Sequence, residues 1–236
     1  LILGGSGFIG SNFTQGTKLS GSDVNLLDFN DTLKCFNQYK PDVVIHSACK
    51  ELSSKLLYKN SADYFDENIR MSINIFKACQ LMRVRKLIVI ASVNAFFSEQ
   101  QSLISDSYNH TIKKILSDEY YKQYNLHSKV FFLSNVQIIG NPDHTRNFIF
   151  VNDVINKIES SIEERGHKTI ANNNYYSLKH VVDRIVDIMN FKGQVLWQGI
   201  FDSVENKNLN LDSCELAHMD FTELDTGLEH TINWYL

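Results

Sequence analysis

The sequence predicts a doubly wound α/β fold, in which a parallel sheet is covered by helices on both faces. Apolar segments and helical stretches alternate along the chain, and this alternation is typical of a parallel sheet. The predicted strands cover residues 1–3, 41–46, 86–91 and 129–133. The third of them is apolar throughout after its first residue, as expected for a strand that is covered on both faces.

Helices are predicted between and after these strands from the spacing of apolar residues. Residues 64–82 and 106–124 each carry an apolar stripe with the helical period, so each should pack along the sheet. Ser177 can cap a further helix, whose apolar residues again fall on one face.

The composition excludes several classes of protein. The formal net charge of −4 provides no basic surface for nucleic acid or an anionic membrane. No apolar run approaches the roughly 18 residues of a membrane helix. The four cysteines form no CxxC pair and the eight histidines form no HExxH motif. We therefore predict no metal site and expect a reducing, cytoplasmic location.

A glycine-rich segment joins the first strand to a helix. Gly4 would permit a sharp turn, Gly7 would leave room for phosphate oxygens, and Gly10 would let the helix pack closely on the strand. The backbone N–H groups at the start of the helix would then face the pyrophosphate of an NAD-type dinucleotide. A glycine turn without a ligand is the alternative. Because a strand precedes the glycines and a helix follows them, we prefer dinucleotide binding.

The GxxGxxG spacing of these glycines is similar to that of the extended short-chain dehydrogenase/reductase family, which is also the NAD-dependent epimerase/dehydratase family. Other segments that resemble motifs of that family cover residues 40–50, 67–79, 86–92, 133–136 and 148–154. Within the family, residues 25–36 and the tail from Ser177 to Tyr235 most resemble the GDP-L-fucose synthase branch.

The resemblance implies a Rossmann fold with a small C-terminal substrate-binding region. Residues 1–140 would form the dinucleotide-binding domain, and residues 141–236 mainly the substrate-binding region, with some segments returning to the first domain. The implied cofactor is NADP or NAD. The branch slightly favours NADP, although Ser6 stands where its arginine would help to hold the extra phosphate. The residues expected to bind the cofactor are Gly4, Gly7, Phe8, Ile9, Gly10, Leu26, Ser47, Ala48 and Asn135.

The family's chemistry implies that hydride passes between the nicotinamide and C4 of a nucleotide-activated sugar. Ser92, at the end of a predicted strand, would hold the sugar oxygen. Tyr108 would exchange a proton with that oxygen, helped by Lys113. The family separates this pair by four residues, whereas the spacing here is five. Counting back from the end of the helix puts the pair at Asp106 and His110 instead.

The resemblance therefore implies an NAD(P)-dependent reductase or epimerase that acts at C4 of a nucleotide-activated 4-keto-6-deoxy sugar. Double epimerisation is disfavoured, because Asn94 stands where that reaction uses a cysteine and His144 is a poor replacement for its histidine. Val93 and Asn94 also lack the acidic pair of a dehydratase. The alternative is a catalytically silent cofactor-binding protein with a sensing or scaffold role, which the missing Tyr–Lys spacing supports.

Three connections are shorter than this fold usually needs: residues 10–25, 97–108 and 141–148. Either the protein is a compact, degenerate member of the family, or mobile segments are left out of the sequence, and we prefer the second explanation. Family members commonly pair through two long helices, so a homodimer through residues 64–82 and 106–124 is also expected.

Overall fold

The fold is built on a six-stranded parallel sheet with helices on both faces. This computed structural model describes residues 1–50, 60–93, 104–134, 141–197, 216–217 and 219–236. The strands in chain order are β1 (Ile2–Leu3), β2 (Lys18–Leu19), β3 (Val43–His46), β4 (Lys86–Ser92), β5 (Ser128–Leu133), β6 (Thr145–Arg146), β7 (Gly166–Ile170) and β8 (Tyr176–Ser177). The helices are α1 (Phe8–Ser11), α2 (Phe29–Tyr39), α3 (Ser61–Leu81), α4 (Ile104–Tyr124), α5 (Val151–Ser160), α6 (Leu178–Ile188) and α7 (Leu224–Tyr235).

The strand order of the large sheet is β2-β1-β3-β4-β5-β7, and every pairing in it is parallel. The chain starts near one side of the sheet at β1, adds β2 next to it, and returns to place β3 on the other side of β1. The direction of winding therefore reverses between β1 and β3, which is where open α/β sheets bind ligands. This topology confirms the predicted doubly wound fold.

Two apolar cores lie on opposite faces of the sheet, because successive strand residues point to opposite sides. Along β4, Leu87, Val89 and Ala91 belong to the first core, which α2 and α3 cover. Ile88 and Ile90 belong to the second core, which α5 covers. The uninterrupted apolar run in this strand reflects burial on both faces.

The two long helices lie side by side on the first core. Helix α3 begins at Ser61 and helix α4 at Ile104, close to the predicted starts. The rings of Phe76 and Tyr120 join them, with centroids 5.4 Å apart.

The connection from β1 to β2 is unusually compact. Helix α1 has four residues and β2 has two. The carbonyl oxygen of Leu19 accepts hydrogen bonds from the N–H groups of Gly4 and Gly5, at 3.0 and 2.8 Å. The sequence as it stands thus closes this crossover with a single helical turn.

The C-terminal part contributes both to the large sheet and to a smaller unit. Strand β7 pairs with β5 at the sheet edge, whereas β6 pairs antiparallel with β8. Arg184 of α6 binds both carboxylate oxygens of Asp225 in α7, at 3.0 and 2.7 Å, and so links these two helices. The predicted domain division at residue 140 stays a prediction. None of the described helices has the length and apolar character needed to span a bilayer.

Candidate active site

The turn after β1 requires glycine at two positions. Gly4 has a positive φ of 84°, and a Cβ atom there would lie 2.6 Å from the backbone nitrogen of Ala48. A Cβ atom at Gly10 would overlap the carbonyl oxygen of Gly4, because α1 packs directly on the turn. The backbone segments therefore approach each other more closely than side chains would allow.

Gly7 has a different role, because it leaves the start of α1 uncovered. It is the N-cap residue, with extended backbone angles and no side chain to accept a hydrogen bond from the first helical turn. A Cβ atom at Gly7 would have one close neighbour, the carbonyl oxygen of Gly4 at 3.3 Å. An anion that approached this point would meet backbone N–H groups rather than side chains.

A cavity of about 440 Å³ lies against this turn. Its walls come from the carboxyl ends of β1, β2 and β3 and from the loops that follow them, so it occupies the point where the winding reverses. Its volume falls within the range of about 300–1,000 Å³ that is usual for small-ligand sites. The predicted cofactor-binding residues that line it are Gly4, Gly7, Leu26, Ser47 and Ala48. The residues present therefore fit the nucleotide end of a dinucleotide.

The remaining predicted cofactor-binding residues do not line this cavity. Phe8 and Ile9 supply backbone to the start of α1, but their side chains pack against the second core. Gly10 lies behind the turn, against Gly4. Asn135 falls outside the described residues. The binding roles of these four residues remain predictions.

Two buried asparagines of α3 hold the cavity wall in place. Asn68 accepts a hydrogen bond from the backbone N–H of Lys50 at 2.8 Å and donates one to the carbonyl oxygen of Lys50 at 3.1 Å. Asn74 donates to the carbonyl oxygen of Leu26 at 2.9 Å. Sequence reasoning did not assign these roles, although both asparagines lie in the 67–79 segment that carries the family resemblance. The ammonium of Lys50 also pairs with the carboxylate of Glu67.

The structure does not bring Tyr108 and Lys113 to one face of α4, and the catalytic roles of Ser92, Tyr108 and Lys113 stay predictions. Ser92 is the last residue of β4 and lies opposite Leu133 in the parallel ladder. The side chain of Tyr108 is 45% exposed, whereas that of Lys113 is buried and donates to the carbonyl oxygen of Ile90 at 3.1 Å. Residues five apart on an α-helix point in directions about 140° apart.

Asn109, rather than Tyr108, shares the buried face of α4 with Lys113. It lies one helical turn before Lys113 and is 1% exposed. Its amide nitrogen and oxygen have no hydrogen-bond partner among the described residues. This arrangement was not predicted, because the sequence gives the spacing of the residues but not the rotation of the helix against the sheet.

His46, at the end of β3, is fully buried next to these residues. Its Nε2 lies 3.1 Å from Oγ of Ser72, which itself donates to the carbonyl oxygen of Asn68 at 2.9 Å. Burial, and after it the positive charge of Lys113, hold the pKa of His46 well below its usual value. His46 is therefore neutral at pH 7 and packs at the carboxyl end of β3.

Arg146 is a buried cation that sequence reasoning missed. It is 6% exposed, and its guanidinium donates a hydrogen bond to the carbonyl oxygen of Thr145 at 2.8 Å. Within the described ranges no carboxylate pairs with it, and desolvation lowers the pKa of its guanidinium. Its neighbour Asn147 accepts a hydrogen bond from Ser134 at 2.7 Å, just beyond the end of β5. Arg146 therefore lies near the carboxyl ends of the strands, where Ser92 also lies. Its position directly before the 148–154 segment was the signal available in the sequence.

The sequence model of the NAD dependent epimerase/dehydratase family matches residues 1–134, which include the glycine turn, the cavity and β4 with Ser92. The chain belongs to this family. The resemblance noted from its motifs is thereby confirmed. The prediction of a nicotinamide dinucleotide as cofactor agrees with this membership, and the choice between NAD and NADP stays open.

Several solved structures have the same fold at low sequence identity. GDP-mannoheptose C4 reductase from Campylobacter jejuni with NADP bound has a TM-score of 0.79 and 17% identity, covering 99% of this chain and 96% of that chain. GDP-L-fucose synthetase from Naegleria fowleri bound to NADP has a TM-score of 0.76 and 15% identity, with coverages of 99% and 92%.

UDP-glucose 4-epimerase from Thermotoga maritima with UDP-glucose is also similar, with a TM-score of 0.75, 15% identity and coverages of 99% and 97%. A search of curated protein sequences gives no significant match. Within the part of the chain that the structure describes, no three His, Cys, Asp or Glu side chains come together as a metal site.

Proposed function

We propose that this protein is an NAD(P)-dependent reductase or epimerase that acts at C4 of a nucleotide-activated sugar. The observation that carries the proposal is the cavity beside the glycine turn. This cavity and Ser92 both lie at the carboxyl ends of the strands. Family membership supports it, as do similar structures whose names describe a 4-epimerase with UDP-glucose and a C4 reductase of a GDP-linked heptose.

The residues of the cavity would hold the dinucleotide by its adenosine and pyrophosphate. The N–H groups around Gly7 would donate to the pyrophosphate oxygens. Leu26 and Ala48, which line the cavity, would contact the adenosine. A bound nicotinamide dinucleotide would supply the hydride-transfer chemistry.

Ser92 and Tyr108 would act on the sugar oxygen. A hydroxyl at the end of β4 would donate a hydrogen bond to the oxygen on C4. The phenol of Tyr108 would have to turn from the exposed side of α4 to exchange its proton with that oxygen. Lys113, held at the carbonyl oxygen of Ile90, would supply positive charge beneath this point.

Arg146 would bind the diphosphate of the nucleotide sugar. A buried guanidinium without a carboxylate is stabilised by an incoming anion, and it can bind a phosphate through two parallel hydrogen bonds. The hydrogen bond between its neighbour Asn147 and Ser134, just after β5, supports a role for this charge near the substrate.

A homodimer is part of the proposal. Helices α3 and α4 expose apolar side chains at Ile73, Leu81 and Ile115, and pairing these faces between two copies would bury them. Analytical ultracentrifugation tests this directly.

Cys35 and Cys79 are buried thiols, which suits a reducing, cytoplasmic location.

A catalytically silent cofactor-binding protein is the second candidate, and one observation favours it. Asn109 occupies the buried position one turn before Lys113. An amide neither gives nor takes a proton at neutral pH, so this position cannot perform acid–base catalysis.

Turnover with defined sugar nucleotides distinguishes the two candidates. The protein is incubated with NADH or NADPH and GDP- or UDP-linked 4-keto sugars, and the nicotinamide absorbance is followed. Epimerase activity is read from the sugar products by NMR. The enzyme proposal expects turnover that Ser92→Ala lowers by about 100-fold or more and that Ser92→Thr partly restores. Cofactor binding without turnover of any sugar nucleotide would favour the silent protein, and absence of cofactor binding would reject both.

A further inference from the structure

A second cavity lies in the C-terminal part of the protein, apart from the cavity beside the glycine turn. Its volume is about 180 Å³, and the two cavities have no described lining residue in common. Residues 148–151, helix α6 and helix α7 form its walls, together with Phe8 of α1. Most of these lining residues are apolar or aromatic, so the cavity differs in chemistry from the dinucleotide cavity.

Polar contacts hold the helices around this cavity in place. Thr222, which precedes α7, donates from its N–H and its hydroxyl to the two carboxylate oxygens of Asp153 in α5, each at 2.8 Å. Arg184 of α6 binds both carboxylate oxygens of Asp225 in α7. Helix α7 is thus joined at its start to both neighbouring helices, and Gly227 adds no side chain that could fill the space between them. The cavity is therefore part of the folded structure.

Two polar side chains of the wall have hydrogen-bond partners within the protein. The amide of Asn172 donates to the carbonyl oxygen of Phe148 at 2.7 Å. The hydroxyl of Thr231 donates to the carbonyl oxygen of Gly227, also at 2.7 Å. Glu223 is the one charged residue among the described residues that line the cavity. A neutral, apolar occupant suits these walls, because a polar group would lose its hydrogen bonds to water on entry.

Aromatic rings supply much of the wall. Five of the described lining residues carry a ring: Phe8, Phe148, Phe150, Tyr176 and Phe221. Phe150 stacks on His230 with ring centroids 5.8 Å apart, and Tyr176 stacks on His180 at 5.6 Å. Neither histidine lines the cavity, so each stack holds the orientation of its ring from outside. All five aromatic side chains are only half-buried, which leaves ring surface for an aromatic occupant to cover.

We propose that this cavity binds a small, neutral aromatic molecule. An engineered apolar cavity of about 150 Å³ binds benzene and xenon, so the present volume has room for one ring or two fused rings. The occupant would cover the half-buried rings, and the carboxylate of Glu223 would oppose an anion. Because the site is separate from the cavity beside the glycine turn, this proposal goes beyond the proposed enzymatic function and does not depend on it.

A ligand-observed NMR titration of the protein with indole tests the proposal. Indole is neutral and flat, and indole-3-carboxylate adds one negative charge to the same rings. We expect indole to bind saturably, with a dissociation constant of about 1 mM or tighter. Indole-3-carboxylate should bind at least about tenfold more weakly. Equal binding of the two compounds, or no saturable binding of indole, would overturn the proposal.

The variant Gly227→Leu assigns the binding to this cavity. A Cβ atom at Gly227 would lie 3.4 Å from the side chain of Phe150, an ordinary contact, so α7 accepts a side chain that would extend into the cavity. The affinity for indole should fall by at least about tenfold. Thr226→Leu is the matched control, because it adds the same side chain at an exposed neighbouring position outside the lining. It should leave the affinity within about twofold.

Thermal unfolding shows whether each variant is folded. Indole affinity that is retained in a folded Gly227→Leu variant would overturn the proposal, because indole would then bind elsewhere on the protein.

A crystal of the wild type under xenon pressure locates the site without any variant, so the proposal is tested even if Gly227→Leu fails to fold. Xenon enters apolar cavities of this size. We expect a xenon atom between α6 and α7, in contact with Phe150. A crystal that takes up no xenon in this cavity would overturn the proposal.

Discussion

At the scale of single residues, the glycine turn depends on what surrounds each Cα atom. Gly4 and Gly10 face backbone atoms, whereas Gly7 faces the cavity. The motif spacing was enough to predict the sharp turn at Gly4 and the close packing at Gly10, because a strand, a turn and a helix must fit within ten residues. Asn109 and Arg146 could not be predicted in the same way, because their burial depends on the packing of distant segments.

Gly10→Ala should destabilise the protein, because the new methyl group would overlap the carbonyl oxygen of Gly4. We expect a loss of about 1–3 kcal/mol in the free energy of unfolding, measured by urea denaturation. Gly21→Ala is the control, since a Cβ atom at Gly21 has no neighbour within 4 Å. Equal stabilities of the two variants would contradict the close packing of α1 on the turn.

Neutral burial of His46 predicts a pH dependence of stability. Its pKa is held well below the usual value in the folded protein, so the unfolded chain binds the extra proton first as pH falls. Stability that is complete at pH 7.5 should therefore decrease below about pH 6.5, by up to about 1.4 kcal/mol per pH unit. Urea denaturation at pH 7.5, 6.5 and 5.5 measures this slope. His46→Leu should flatten this slope. An unchanged slope in that variant would show that another group causes the pH dependence of stability.

At the scale of elements, the sequence predicted those strands and helices whose burial follows a simple pattern. Strand β4 is buried on both faces and was recognised by its apolar run. Strand β7 was missed, because its first three residues are partly exposed at the sheet edge and read as Gly-His-Lys. Strand β2 is too short to show any period. The extent of α4 was predicted, but its apolar stripe did not identify Asn109 and Lys113 as buried, so Asn109 was overlooked.

Lys113 on α4 should matter for turnover more than for folding. Lys113→Met replaces a buried ammonium with an apolar chain of similar length, a change that is often neutral or stabilising. Under the proposed function, turnover should fall by about tenfold or more while the urea midpoint stays unchanged or rises. Lys114→Met, which removes a half-exposed lysine paired with Asp118, is the control. Unchanged turnover in Lys113→Met would show that Lys113 joins α4 to β4 and takes no part in catalysis.

At the scale of the whole molecule, ion pairs between distant segments join the amino ends of the strands, on the opposite side of the sheet from the cavity. Lys129, which begins the pairing of β5 with β7, is fully buried and pairs with Glu164. Arg85, just before β4, binds both Asp42 and Glu163. These contacts fix the amino ends of the strands, whereas the glycine turn, Ser92 and Arg146 lie towards the carboxyl ends.

Glu164→Gln should destabilise the fold more than Glu163→Gln. Removing the Glu164 charge leaves the buried ammonium of Lys129 without its carboxylate, which we expect to cost about 1–3 kcal/mol, less than a fully buried pair because Glu164 is half exposed. Glu163 belongs to an exposed pair with Arg85, so its loss should cost less than about 1 kcal/mol. Urea denaturation of both variants gives the comparison. A larger effect at Glu163 would contradict this ranking.

A crystal structure of the protein grown with saturating NAD⁺ or NADP⁺, whichever binds more tightly, tests the central claim most directly. We predict that the diphosphate lies within hydrogen-bond distance of the N–H groups around Gly7. A dinucleotide bound elsewhere on the protein, or a cavity beside the glycine turn that stays empty at a saturating concentration of the dinucleotide, would contradict the account.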